Sequence, residues 1–545
     1  MRFDSLKLGK MLKYTVGDMA NLIIHKACVF WYNILYIQAY LLHFWEVGMK
    51  HSMKQILAML LCALLLSQTL AGCGSVETVE TSAEDADTTA QTETEAETEI
   101  RGNLPDKDFE GRAFHVYTRS APGYPQFDAY ELVSEELNGE VLNDAIYQRN
   151  AIVEEKYNLS VEQQKFEAPG SEAMKAVQSG DDGVDYVVSQ VANVQKNVIN
   201  GSFYDLYTGE YFNFDMPWWH ETINDSCSLG GKLFMTMNDY LLLYKQQTYC
   251  LFFNKTMAKN NGLRDYYEAV IEGTWTWDMM YEDMKAVAYD LDGDGDMDQR
   301  DNYGYSCQYG QMLAAVIGCD VQYSRKDEND VPVLQADSET HINALDKVAS
   351  VFIDKTTSLL ANDYSSSETT GNSMWDIPLD TFYDDRVLFI GGVVRYAPGI
   401  ISNSEIDFGI LPNPKLSETQ ENYYAYSEVG NSTALLVPVV ANLSDVSFVI
   451  EALSEESFHT VVPAYYEVMM KSKYSPDPNA SAVLDLMFAN HRFDTALLYA
   501  WLDISAIYDG ILKSKNNTFV SQYTSRSKSA QTQLDKWMGQ IAEME

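Results

Sequence analysis

"TWTWDMMYEDMKAVAYDLDGDGDMDQRDNYGYS", residues 274–306, sets a helix, a carboxylate-dense loop and a strand end to end. Thr276 is a ready N-cap and Asp278 suits the positive end of the helix dipole, so a helix is expected from Trp277 onward. It runs into "DLDGDGDMDQRD", which places six aspartates in twelve residues. A calcium loop of that length carries acidic side chains at its first, third, fifth and ninth places, a backbone carbonyl at the seventh and glycine at the sixth. Asp290, Asp292, Asp294, Gly295, Asp296, Asp298 and Asp301 fall on that register. The twelfth place holds Asp301, not the longer glutamate that chelates with both oxygens. A structural Ca2+ is expected on Asp290, Asp292, Asp294, Asp296, Asp298 and Asp301, the plain alternative being a solvated acidic turn. The following "NYGYSC" has no helical period, so the second helix of an EF-hand is missing. A calcium sensor works by opening two helices. With one, the loop reads as a pin and not a switch.

Outward from this block, strand and helix patterns alternate. "AFHVYTR" from Ala113 has period two, Val141 to Val153 carries apolar residues at helical spacing, and "VDYVVSQ" reads as a buried strand before a helix near 192–199. Such alternation implies a parallel sheet covered on both faces, which binds ligands at the carboxyl ends of its strands. Arg119, Ser120 and Gln190 fall there. "GKLFMTMNDY" and "TYCLFFNKT" read as further strands, then "RVLFIGGVVRYA", "DFGILPNPK" and "TALLVPVV", the last leading into a helix with Ser444 as candidate cap. The final hundred residues are mainly helical. The fold class is α/β in two lobes, with a helical C-terminal part.

The start of the chain is built differently. "MKQILAMLLCALLLSQTLAGCGS" from Met53 has a basic start, a short apolar run and then small residues, the layout of a secretory signal. Its end at Leu70–Cys73 resembles a bacterial lipobox, which implies acylation (palmitate or a similar chain) of Cys73 as the first mature residue. More than one acyl chain gives stable anchoring, each buried methylene contributing about 0.8 kcal/mol. Residues 1–48 have no place before a signal peptide, and Trp45-Glu46-Val47-Gly48 looks like a translated purine-rich ribosome-binding site, so a misassigned start codon is expected, with 49–72 the signal peptide. Residues 73–103, rich in Thr, Glu and Ala, cannot bury enough surface to order themselves and are expected to be an acidic tether. About 440 residues remain, too many for one core.

The formal charge of −41 argues against nucleic acid and against electrostatic adhesion to anionic lipid. The membrane link is therefore the lipid. Cys227, Cys250, Cys307 and Cys319 permit disulfides or buried free thiols, and no CxxC spacing points to zinc. No HExxH, Gly-x-Ser-x-Gly elbow or phosphate loop is present.

Three blocks resemble the extracellular solute-binding lipoproteins of ABC importers, in the large carbohydrate-type family: "GKLFMTMNDYLLLYKQQTYCLFFNKTMAKNNGL", the Thr274–Ser306 block, and "DFGILPNPKLSETQENYYAY" with "GNSTALLVPVV". The resemblance runs from about Leu104 to the end. It implies a type II periplasmic-binding-protein-like fold, with lobes at 104–235 plus 386–457 and at 236–385 plus 458–545 joined by crossing hinge segments. It also implies solute capture in the interlobe cleft, hinge closure, and delivery to an ABC permease by a monomer anchored on the outer face of the bacterial cytoplasmic membrane, with no enzymatic activity. Sugars offer hydroxyls and apolar C–H faces, so their sites pair aromatic platforms with carboxylates, amides and arginine. With 36 tyrosines and nine tryptophans the chain is well supplied. Position favours Arg119, Gln190, Asn238, Asp239, Trp375, Arg395, Tyr396, Asn431 and Trp501 as ligand-binding residues. Each could equally be a packed aromatic or a surface polar group, and Trp218 and Trp219 could be core or rim. The alternatives are a secreted carbohydrate-active enzyme using paired carboxylates, or a calcium-stabilised adhesion module resting on the aspartate loop alone.

Overall fold

The period-two pattern near residue 113 becomes β1 (Arg112–Arg119), where Phe114, Val116 and Thr118 are fully buried. The computed structural model describes residues 100–121, 132–336, 338–466 and 478–544, all within one compact unit, Thr98–Glu545. Residues 1–48, the signal peptide, Cys73 and the tether up to residue 99 lie outside the described residues. β1 pairs in parallel with β2 (Leu159–Phe166) and β3 (Tyr186–Gln190), with helices Val141–Tyr157 and Pro169–Ser179 in the connections. Tyr186, Val187 and Val188 are fully buried, as a strand covered on both faces requires.

Further along come β4 (Tyr249–Asn254), β5 (Tyr303–Cys307), the short pair β6 (Ser324–Lys326) and β7 (Pro332–Leu334), β8 (Ser358–Leu360), β9 (Val387–Val393), β10 (Phe408–Leu411), β11 (Ala425–Tyr426), β12 (Thr433–Leu436) and β13 (His491–Arg492). They build two main sheets, ordered β12-β3-β1-β2 and β10-β4-β9-β5-β8. The molecule is thus a mixed α/β fold with two lobes, each organised on its own sheet. The helix Leu443–His459 belongs to the first. Arg112 donates to Asp445 at 2.7 Å, and the Phe448 ring meets Phe109 and Tyr157 edge-on.

Three expectations change. Residues 387–411 belong with the second sheet, not with the first lobe, because the wholly buried run "VLFIGGV" pairs with both β4 and β5, and β10 pairs with β4. The chain rejoins the first sheet only at β12. "GKLFMTMNDY" lies along β12 and bridges it at Thr236–Leu435 without forming a ladder. The Leu443 helix is capped by Asn442, which accepts from the Asp445 amide at 3.3 Å, whereas Ser444 donates to Glu210. The C-terminal part is mainly helical as expected, with β13 and a left-handed residue at Ala500 between its helices.

The opening block folds as expected. Thr276 caps helix Trp277–Val287 through the Met279 amide, and Trp277 is fully buried. After the aspartate loop, the chain closes on itself through a Tyr289–Asn302 bridge and continues into β5. Cys227, Cys250, Cys307 and Cys319 are buried free thiols. Among the described residues no helix is long and apolar enough to cross a membrane.

Candidate functional site

The order β2-β1-β3 makes β1/β3 a topological switch point, and a crevice outside the carboxyl ends of such strands is where open α/β sheets take ligands. Arg119 ends β1 and is 7% exposed, its guanidinium donating to the Asn431 carbonyl at 3.1 Å. Gln190 ends β3 and donates to the Gly430 carbonyl at 2.7 Å and to Asn431 Oδ1 at 3.2 Å. The turn they hold, Glu428–Asn431, stands just before β12, whose start pairs with the end of β3.

Glu428 is the residue that sequence reasoning missed. It is half-buried, and its carboxylate accepts from the Asn431 amide at 3.0 Å. Burial raises its pKa, while the Asn431 and Gly430 donors and the Arg119 charge pull it back down. Its own charge adds to burial in raising the Tyr249 hydroxyl well above the usual phenol range and in raising Tyr396. Glu428 therefore lies between the polar ends of the first sheet and the tyrosines of the second. The only sequence signal was the Glu-Val-Gly-Asn turn ahead of an apolar strand.

The second wall is the corresponding end of the other sheet. β4 runs antiparallel to β9, so Tyr249 at its start sits beside Val393 at the end of β9, and Arg395 and Tyr396 follow in the next turn. Tyr396 stacks on Phe252 with ring centroids 6.5 Å apart. A Cβ at Gly392 would lie 2.6 Å from the Tyr396 ring, so the second glycine of "GG" is what lets that ring lie flat. After β5, Gln308 donates to the Trp375 carbonyl at 3.0 Å and Gly310 lies against the Tyr249 hydroxyl. Trp375 is 53% exposed. The charge of Asp376, next along, also raises the Tyr396 pKa, which is dominated by burial.

Two chain passes cross between the walls. Thr248 bridges Ser427, and Glu428 donates its amide to the Gln247 carbonyl at 2.9 Å. β13 lies alongside, pairing in parallel with β11, and His491 Nε2 meets Thr248 Oγ1 at 2.8 Å.

Of the nine expected residues, Arg119, Gln190 and Asn431 come together on one wall, and Trp375, Arg395 and Tyr396 lie on the other. The remaining three do not join them. Asn238 is fully buried, donating to Ser454 at 2.7 Å and accepting from the Tyr240 amide, so it ties a turn to the Leu443 helix. Asp239 is 1% exposed beneath His220 and Lys245, at 2.8 and 2.7 Å. Trp501 packs between Tyr499 and Trp537 at centroid distances of 5.4 and 5.7 Å. Trp218 and Trp219 are core, both indoles donating to Glu451 at 2.8 Å.

The aspartate loop stands apart from the cleft. Carboxylate oxygens of Asp290, Asp292 and Asp294 lie within 4.8 Å of one another. Asp290 accepts from the Gly293 and Gly295 amides at 2.6 and 2.8 Å, and Gly295 has φ +93°. Buried Asp301 accepts from the Leu291 and Asp298 amides, closing the loop. Arg300 lies against Asp292, Asp294 and Asp298, a guanidinium meeting the charge that a divalent ion would otherwise neutralise. Asp296 faces solvent.

No protein-family model and no curated protein matches the chain. Among solved structures it is similar to the ABC substrate-binding protein Lmo0181 from Listeria monocytogenes in complex with cycloalternan, at 11% identity and TM-score 0.46 over 79% of this chain and 99% of that one. It is also similar to M. tuberculosis UspC, at 12% identity and TM-score 0.49 over 77% and 99% of the two chains. A third is a cyclo/maltodextrin-binding protein complexed with maltotetraose, at 13% identity and TM-score 0.47 over 79% and 97%.

Proposed function

We propose that the protein is a solute-binding protein that takes a sugar or oligosaccharide into the cleft between its two sheets and hands it to an ABC permease. The observation that carries this reading is that the turn holding Glu428 and Asn431, bound by Arg119 and Gln190, is bonded through the Glu428 amide to Gln247 and so adjoins Tyr249 at the end of the second sheet. Charged and amide groups suit hydroxyls, and an exposed ring such as that of Trp375 suits the C–H face of a pyranose. The lipobox-like Cys73 supports anchoring on the outer face of the cytoplasmic membrane, with the protein acting as a monomer. A thermal-shift screen of the mature chain against mono- and oligosaccharides, amino acids and peptides tests this. Stabilisation follows RT ln(1 + [L]/Kd), about 2.7 kcal/mol at a hundredfold excess over Kd. Stabilisation by amino acids or peptides alone, or turnover of the bound sugar, overturns it.

The aspartate loop fits a structural calcium ion, with Asp290, Asp292, Asp294, Asp298 and Asp301 supplying side-chain oxygens and Asp296 its carbonyl. Support comes from the Asp290–Gly295 turn and from the three carboxylates already gathered. Calcium should raise the thermal midpoint of chelator-treated protein, and Asp290→Asn should abolish that rise. Sugar affinity of the folded protein should stay nearly the same with and without the ion, which calorimetry in calcium and in EDTA can check.

A further inference from the structure

A pocket lined by none of the residues placed on the two walls above opens between the helix Glu221–Cys227 and the segment around β13. Its volume is about 300 Å³. For scale, an apolar cavity of about 150 Å³ holds a benzene ring. Rings line it almost without a break. Phe488, His491, Phe493 and Tyr244 follow one another at centroid separations of 5.5, 5.9 and 6.2 Å, and His220 meets Tyr244 at 6.0 Å.

Lys245 and His220 both reach Asp239 Oδ1, and that carboxylate lies beneath them, 1% exposed. Burial would raise the Asp239 pKa, but Lys245 and His220 hold it down at about 2, so it stays ionised. One carboxylate oxygen uses one of the three ammonium hydrogens of Lys245, and the other two remain for a further acceptor. Burial, with the nearby Lys245 and His220, pushes His491 down to about 3, so its ring is neutral and its Nε2 is engaged with Thr248. Lys245 therefore offers a guest a cationic donor beside an aromatic wall, in a chain whose formal net charge is −41.

We propose that this pocket binds a small aromatic carboxylate, its ring among Tyr244, Phe488 and Phe493 and its carboxylate on Lys245. A charge-assisted hydrogen bond from Lys245 selects the anion over a neutral isostere. The probes are phenylacetate and its uncharged analogue 2-phenylethanol, titrated calorimetrically into the full mature protein. Phenylacetate should bind about tenfold more tightly, the ratio that roughly 1.4 kcal/mol supplies. Ala489→Trp, at an exposed position on the pocket lining, should abolish phenylacetate binding without lowering the thermal midpoint. Lys245→Gln should erase the preference for the anion. Glu428→Gln, in the cleft, should leave phenylacetate binding unchanged, which separates failure of this site from failure of the sugar-binding reading. Equal affinity for the two probes, phenylacetate binding retained in Ala489→Trp, or no binding at millimolar concentration overturns the proposal.

Discussion

Trp375→Ala is expected to weaken sugar binding by about thirtyfold, equivalent to the roughly 2 kcal/mol that an aromatic anchor contributes, while leaving the thermal midpoint where it was. The two halves of that expectation rest on one fact. Trp375 is 53% exposed and is held through its backbone, by Gln308 to its carbonyl and by Ser373 to its amide. Its indole therefore carries little of the fold, and what it offers is a face to something that arrives. Trp501 is the contrasting case. With 6% exposure and rings on two sides, Trp501→Ala should cost about 3 to 5 kcal/mol of stability, and the protein that still folds should bind sugar with unchanged affinity. Calorimetry and chemical denaturation of both variants separate the roles. Equal affinity loss in the two would remove Trp375 from the site.

The second large effect is expected at Glu451. This carboxylate is 2% exposed and accepts from Trp218, Trp219 and the Asn213 amide at 2.8, 2.8 and 3.2 Å. Glu451→Ala leaves the two buried indole N–H groups without an acceptor and should cost about 3 kcal/mol or more. Burial raises the Glu451 pKa to about 7 from an ordinary 4.5, although its three donors oppose the rise. The sign follows from proton counting. Between those two values the unfolded chain has released the proton and the folded chain keeps it, so stability falls as pH rises. The contribution is complete below about pH 4.5, declines up to about pH 7 and is then flat; its size is about 3 kcal/mol. Glu451→Gln cannot titrate and sets its amide against an indole N–H. It should be less stable than wild type in acid, and the gap should narrow towards pH 8. Denaturation profiles that stay parallel from about pH 5 to about pH 8 would refute the assignment.

How much of this was legible depends on whether a residue's role was set locally. Thr276 capped its helix as expected because an N-cap needs only the next three residues, and the Asp290–Asp301 register is a property of twelve consecutive positions. Arg119 and Gln190 were legible because strand ends are local and the switch-point rule then fixes their meaning. Trp501 was not. An aromatic on a late helix looks the same whether it faces a cleft or Trp537, and only the tertiary neighbour decides. Asn238 was hidden for the same reason, since its partner Ser454 is more than two hundred positions away. The run 387–411 looked like part of the returning segment, but a wholly apolar strand carries no mark of which sheet it completes. Glu428 lay in a turn, and its meaning came from tyrosines brought to it by β4 and β9.

The strands at the waist carry a consequence of their own. Thr248 and Ser427 are bonded side by side, and β13 is lashed to them through β11 and through His491. A single linking strand could twist, slide and bend, whereas strands stitched together resist the first two and yield mainly to the third. If the two sheets close on a solute as proposed, they would then travel mainly along one arc, like a caliper. On such an instrument the gap at which the walls come to rest would be a measurement of the guest's breadth. Selectivity would reside in the stiffness of the waist as much as in the groups that touch the sugar.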